Sequence, residues 1–135
     1  MIALDDRVLV SGQIDPADLP AIAAAGITLV INNRPDGEAF DQPAGAEIEA
    51  AARAAGLDYR HIPVAGGLAP DQVAAMAEAL DGAAGKTLAF CKSGTRSTYL
   101  WALARAGQGA DGAILFEQAA AAGYDLSPLR AYLLR

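Results

Sequence analysis

Thr87-Leu88-Ala89-Phe90-Cys91-Lys92-Ser93-Gly94-Thr95-Arg96-Ser97 is an apolar run that breaks into a small polar loop. Thr87 to Phe90 reads as a buried strand. Thr98 to Ala106, with Leu100, Trp101, Leu103 and Ala104 at helical spacing, reads as an amphipathic helix. Cys91 is therefore expected at the carboxyl end of a strand, facing a helix amino terminus. Unpaired backbone N–H groups and the positive end of the helix dipole favour bound anions there, and they favour a thiolate for the same reason. The small residues Ser93, Gly94 and Thr95 let the backbone curl so that successive amides converge. Arg96 adds a planar fork suited to a tetrahedral oxyanion, and Lys92 adds a point charge. A thiol with pKa about 8.5 is roughly 3% ionised at neutral pH, whereas a pKa of about 6 makes it roughly 90% thiolate. Ser97 or Thr95 can donate a hydroxyl hydrogen bond to that sulfur.

A lone cysteine here would read as a buried strand-end residue, since free Cys is among the most buried residue types. Cys, Gly, Arg and Ser within one strand-loop-helix context point instead to an anion-binding loop with a cysteine nucleophile. The chain has one cysteine, so no partner exists within it to resolve a disulfide, and neither an internal disulfide nor a cysteine-based zinc site is available.

Working outward, strands alternate with helices. Arg7 to Ser11 reads as a strand stopped by Gly12. Asp15, Pro16 and Asp18 mark a helix start, with the helix ending near Gly26. Ile27 to Asn32 is a β-branched central strand, followed by a polar and irregular segment through Gly45. Ala46 to Ala55 is helical, Tyr59 to Val64 a strand and Pro70 to Leu80 a helix. Ala110 to Ala122 and Ser127 to Leu134 give two more helices. The pattern predicts one α/β domain over residues 1–135, with a mostly parallel sheet of about four to five strands flanked by helices. Ligands in such sheets bind outside the carboxyl strand ends. That rule gathers Ser11-Gly12-Gln13, Asn32-Asn33-Arg34, Ala65-Gly66-Gly67 and Cys91 to Arg96 on one rim.

Composition bounds the partners. A net charge of −6 argues against nucleic acid or an anionic membrane surface. The amino terminus lacks the features of a signal peptide, no run reaches transmembrane length, and a single cysteine suits a reducing compartment, so the expected location is the cytoplasm. Neither a metal nor a cofactor is expected.

Four blocks in order, Val10-Ser11-Gly12-Gln13, Ile31-Asn32-Asn33-Arg34-Pro35-Asp36-Gly37-Glu38, His61-Ile62-Pro63-Val64 and Cys91 to Ser97, resemble the phosphatase-like domain of beta-lactamase-hydrolase-like proteins. The resemblance covers nearly the whole chain and implies a protein tyrosine/dual-specificity phosphatase fold. Members of that family stand alone or are fused to sulfur-metabolising metallohydrolase domains, so the resemblance implies either phosphatase or sulfurtransferase chemistry, with a sulfur-metabolism protein as a partner in the second case.

Two departures from ordinary tyrosine phosphatases bear on that choice. Their signature places five residues between Cys and Arg, whereas Arg96 comes one position early and Ser97 occupies the expected Arg site. The spacing resembles the active loop of many rhodanese-type sulfurtransferases. The loop after the third strand, where those phosphatases carry an acidic proton donor, reads Ala65-Gly66-Gly67. General-acid assistance is typically worth 10²–10⁴-fold, so ester cleavage needs Asp36, Glu38 or Asp71 to reach in. Sulfur transfer expels sulfite or a thiolate and needs no such proton.

The leading expectation is therefore a sulfurtransferase in which Cys91 carries a persulfide, held by the Lys92 to Ser97 amides and Arg96. Its substrate is a small anionic sulfur compound. The alternative is a phosphatase working through a cysteinyl-phosphate, and a third reading is an oxyanion-binding module without turnover. Arg34 is a candidate second clamp or a partner of Asp36 or Glu38. Asp36 is a candidate acid or a turn residue. His61 is read as structural or as a proton carrier, Gln13 as a substrate or turn residue, and Trp101 and Tyr99 as packing.

Overall fold

A computed structural model describes residues 1–134. Five strands, β1 (Ile2–Ala3), β2 (Val8–Ser11), β3 (Ile27–Asn32), β4 (Asp58–His61) and β5 (Lys86–Phe90), form one sheet in the order β1-β2-β5-β3-β4. All neighbours pair in parallel except the edge strand β1, which runs antiparallel to β2. A two-residue strand carries no periodicity, which is why β1 has no sequence signal.

The central position of β5 follows from its composition. Thr87, Leu88, Ala89 and Phe90 are all buried, as a strand covered on both faces requires. The register puts Leu9, Leu88 and Val30 side by side, and Val10, Ala89 and Ile31 in the next row. Successive side chains point to opposite faces, so the first row enters one core and the second row the other. On the Leu88 face lie α1 (Leu19–Ala24) and α2 (Gly45–Ala54), through Leu19, Ile22, Ile48 and Ala52. On the Ala89 face lie α3 (Pro70–Gly82), α4 (Thr95–Gly107), α5 (Gly112–Ala121) and α6 (Arg130–Leu133), around the fully buried Met76, Leu100 and Trp101. Trp101 is packing, as its pattern predicted; its Nε1–H donates to Asp5 Oδ2 at 2.8 Å, with Arg105 Nε on the same oxygen at 3.2 Å.

Boundaries differ from the sequence reading in places with identifiable causes. The helix expected from Thr98 begins at Thr95, because Gly94 adopts φ 91° and turns the chain straight into it. The helix expected from Pro16 opens as a 3-10 turn, Pro16–Asp18, with Asp15 and Asp18 capping each other's backbone amides. The third long strand ends at His61 rather than Val64, where β3 also ends and Pro63 lacks an N–H. Ser127 to Leu134 divides into a 3-10 turn at Ser127–Leu129 and then α6. Among the described residues no helix is long and apolar enough to cross a membrane.

Candidate active site

The carboxyl ends of β2, β3, β4 and β5 meet at one rim. Asn33 sews three of these strand ends together: its N–H donates to Phe90 O at 2.8 Å, its carbonyl accepts from Val64 N at 3.0 Å, and its side-chain amide donates to Ile62 O at 2.9 Å. Gln13 N donates to Lys92 O at 3.3 Å. A Cβ on Gly12 would lie 2.9 Å from that same carbonyl, so the Ser11-Gly12-Gln13 turn packs directly beneath the loop after β5.

That loop wraps Cys91, whose side chain is buried. The Gly94 N–H donates to its Sγ at 3.1 Å. Burial pushes the thiol pKa up, but the amides of Ser97, Ser93 and Gly94 and the Ser97 hydroxyl pull it down by more, leaving it below the ordinary 9.0. The Ser97 Oγ is itself buried and has no other hydrogen-bond partner, so its polarity is available to the sulfur. Gly94 is required at its position twice over. It takes a left-handed φ of 91°, and an added Cβ would collide with the Tyr124 hydroxyl. Its carbonyl then caps the new helix, accepting from Thr98 N at 3.0 Å and Thr98 Oγ1 at 2.8 Å.

Arg96 stands in the first turn of α4, and its donors divide into two groups. Nη1 donates to Glu38 Oε2 at 2.7 Å and to Val64 O at 2.8 Å, and Nη2 donates to Glu38 Oε1 at 2.8 Å. A guanidinium has five N–H donors in a fixed plane. The two left over, on Nε and Nη2, lie along one edge, and the Cys91 charge lies near enough to raise the Arg96 pKa, after the larger effect of the Glu38 hydrogen bond. This is the fork that a tetrahedral oxyanion above the sulfur would accept.

Glu38 is in turn held by Arg34, whose Nε donates to Glu38 Oε1 at 3.0 Å while its Nη1 donates to Gln13 Oε1 at 3.0 Å. The Arg96 hydrogen bonds are the largest influence on Glu38. With Arg34 and against a smaller effect of burial, they hold its carboxyl at about 2. Gln13, Arg34, Glu38 and Arg96 thus form one chain of contacts ending at Cys91.

The structure brings Cys91, Ser93, Gly94, Arg96 and Ser97 together, with Thr95 beside them, its hydroxyl accepting from Ser93 Oγ at 3.0 Å. Lys92 is exposed on the loop's outer side. Arg34 is only 4% exposed, and its guanidinium is engaged by Glu38 and Gln13. Asp36 Oδ1 accepts from Gly45 N at 2.7 Å, which fastens the start of α2. His61 Nε2 sits 3.0 Å from Arg34 O and braces the same loop. Sequence reasoning paired Glu38 with Arg34 but missed its grip on Arg96, a contact between residues 58 apart in the chain. It missed Tyr124 altogether. Among the described residues no group of His, Cys, Asp and Glu is placed to hold a metal ion.

A model of the family described as beta-lactamase hydrolase-like protein, phosphatase-like domain, matches residues 1–110. The beta-lactamase hydrolase-like protein of Agrobacterium fabrum is 38% identical over 114 residues, which are 84% of this chain and 26% of that protein. The chain thus spans about a quarter of the length of such curated relatives. A crystal structure of a candidate phosphatase from Neisseria meningitidis superposes with a TM-score of 0.86 at 34% identity, over 98% of this chain and 94% of that one. P. aeruginosa TpbA, in a cysteine-to-serine form with pTyr bound, shares the fold with a TM-score of 0.62 at 17% identity, over 97% of this chain and 88% of its own.

Proposed function

We propose that this chain, which belongs to the phosphatase-like domain family of beta-lactamase hydrolase-like proteins, is a cysteine-dependent phosphatase acting on aryl phosphate monoesters. One observation carries the reading. A sulfur with a lowered pKa lies at the floor of a cradle of loop amides, with the free edge of Arg96 beside it. The Cys91 thiolate attacks phosphorus as the phosphorus–oxygen bond breaks, and the aryl oxygen leaves with its electron pair. Water then attacks the cysteinyl-phosphate, adding to phosphorus while sulfur departs as thiolate, and both water protons leave with dihydrogen phosphate. The loop amides and Arg96 stabilise the equatorial oxygens in both steps.

The preference for aryl esters rests on the proton inventory. Glu38, with a pKa of about 2, is ionised at neutral pH and has no proton to give. Asp36 is turned to the start of α2, and the loop carrying Val64 to Gly67 has no acid. A phenoxide leaves without protonation far more readily than an alkoxide. That TpbA binds pTyr supports the same substrate class.

The expected sulfur transfer used the same cradle and rested on the short Cys91 to Arg96 spacing and on the absence of an acid in Ala65-Gly66-Gly67. The family and its structural neighbours favour phosphoryl chemistry over it. On this reading residues 1–135 form a single phosphatase-like domain. The decisive experiment measures intact mass after mixing with p-nitrophenyl phosphate and rapid acid quench, beside a thiosulfate incubation and a Cys91→Ser control. A phosphoryl adduct absent from the control supports the proposal. A sulfur adduct with no phosphoryl transfer would replace it.

A further inference from the structure

We infer that Tyr124, from the segment after α5, is a positioning residue whose hydroxyl locks the 93–94 peptide so that its N–H faces Cys91. The inference rests on Cys91 being the reactive thiolate of the proposed phosphatase. It also reaches beyond residues 1–110, the span matched by the family model.

The argument starts from the planarity of the peptide group. Among the described residues no peptide bond is cis, so the carbonyl of Ser93 and the N–H of Gly94 point in opposite directions across one plane. The carbonyl accepts a hydrogen bond from the Tyr124 hydroxyl at 3.0 Å. The N–H on the far side therefore faces inward, where it meets Cys91 Sγ at 3.1 Å. A flip of this single peptide would replace a donor by a carbonyl oxygen and set a negative dipole against both thiolate and phosphate.

Within the loop, this peptide group is held through its N–H to Cys91 Sγ. Residue 94 is glycine, the residue type with the lowest cost for moving between positive and negative φ, and Ser93 is exposed. The Tyr124 hydroxyl supplies a second hold, on the carbonyl side and from outside the loop. It sits so close to Gly94 that a Cβ there would overlap it.

The position of Tyr124 is set by the end of α5. Gly123 takes φ 93° and Tyr124 N donates back to Ala119 O at 2.8 Å, reversing the chain toward the start of α4. Burial and the neighbouring Cys91 charge both raise the phenol's pKa. It therefore stays protonated, and so remains a donor, throughout the neutral range.

The test is Tyr124→Phe, which removes only the hydroxyl, with Tyr99→Phe as a control for losing a phenol elsewhere. The first readout is the pH midpoint of Cys91 alkylation by iodoacetamide, and the second is protection from alkylation by inorganic phosphate. In Tyr124→Phe the midpoint should rise by about half a unit to one unit, leaving roughly 3–10-fold less thiolate below it. Phosphate should protect about 3–10-fold less well, with an unchanged far-UV circular dichroism spectrum. Tyr99→Phe should match the parent in all three. Midpoint and protection within a factor of two of the parent would overturn the inference. So would a Tyr124→Phe protein that has lost its fold, since the phenol would then be holding more than one peptide. Alkylation needs no turnover. A parent that fails to hydrolyse aryl phosphates while Tyr124→Phe still shifts the midpoint would sink the proposed activity and leave this inference standing.

Discussion

Glu38→Gln separates aiming of Arg96 from its mere presence. The carboxylate accepts from Arg96 at 2.7 and 2.8 Å and from Arg34 at 3.0 Å. A glutamine offers one oxygen to these donors and presents its own NH₂ to the remaining guanidinium, so one of the two Arg96 contacts becomes repulsive. Val64 O still accepts from Nη1, but the guanidinium has lost half of its carboxylate clamp, and its Nε and Nη2 edge is held less firmly in direction. A displacement of about 1 Å at such a group costs on the order of 10²-fold. The expected fall in kcat/KM for p-nitrophenyl phosphate is therefore roughly 10–100-fold, or about 1.4–2.7 kcal/mol of transition-state stabilisation.

Stability should move much less, because the Glu38 side chain is 30% exposed and such pairs contribute about 1 kcal/mol or less each. The pH dependence gives an independent check. Glu38 titrates at about 2 in the fold against an ordinary 4.5, so its contribution is present above about 4.5 and is lost as pH falls toward 2. Urea unfolding at pH 7 and at pH 3 should show a smaller loss in Glu38→Gln than in the parent. A kcat/KM within twofold of the parent, or parallel pH–stability curves, would refute the reasoning.

Gly94→Ala forces an alanine to φ 91° and drives its Cβ into the Tyr124 hydroxyl; kcat/KM should fall at least about 100-fold, checked by steady-state kinetics beside a circular dichroism melt. Ser97→Ala removes a donor to the sulfur, so the ascending limb of the kcat/KM profile, which follows thiolate formation at a pH below 9.0 in the parent, should move to higher pH by about half a unit. Asp36→Asn keeps an oxygen for Gly45 N, so kcat/KM and the shape of its pH profile should stay within about twofold of the parent; loss of a descending limb would restore Asp36 as the acid.

The parts of the molecule legible in the sequence are those set by local pattern. Ile27 to Asn32 matches its strand to the residue, because β-branched composition and a glycine before it leave no competing reading. Asp15, Pro16 and Asp18 announce a helix start with their own side chains. The loop from Cys91 to Ser97 was readable as a strand-to-helix junction around the cysteine because strand, glycine and helix follow one another without interruption. Its wiring was readable only in the near pair Arg34 and Glu38, since the other wires join residues far apart in the chain. Glu38 meets Arg96 across the gap between β3 and α4, Gln13 meets Arg34 across 21 positions, and Tyr124 reaches Ser93 across 31. Each of these is an ordinary polar residue until the fold supplies its neighbour.

The wiring also bears on how an acidic protein would manage the proposed anionic substrate. The chain carries −6 overall, so its distant field repels phosphate rather than steering it. At the site the charges of Arg34 and Arg96 are matched by Glu38 and the Cys91 thiolate, which leaves the exposed Lys92 as the loop's remaining positive charge. Capture must therefore come from direction at short range: amides aimed by Gly94 and the helix start, and the one edge of Arg96 that Glu38 and Val64 leave unoccupied. Glu38 costs the pocket a unit of positive charge and returns a fixed guanidinium plane. That exchange favours an oxyanion that fits the plane, because a poorly fitted one gains neither the fork nor any compensating field.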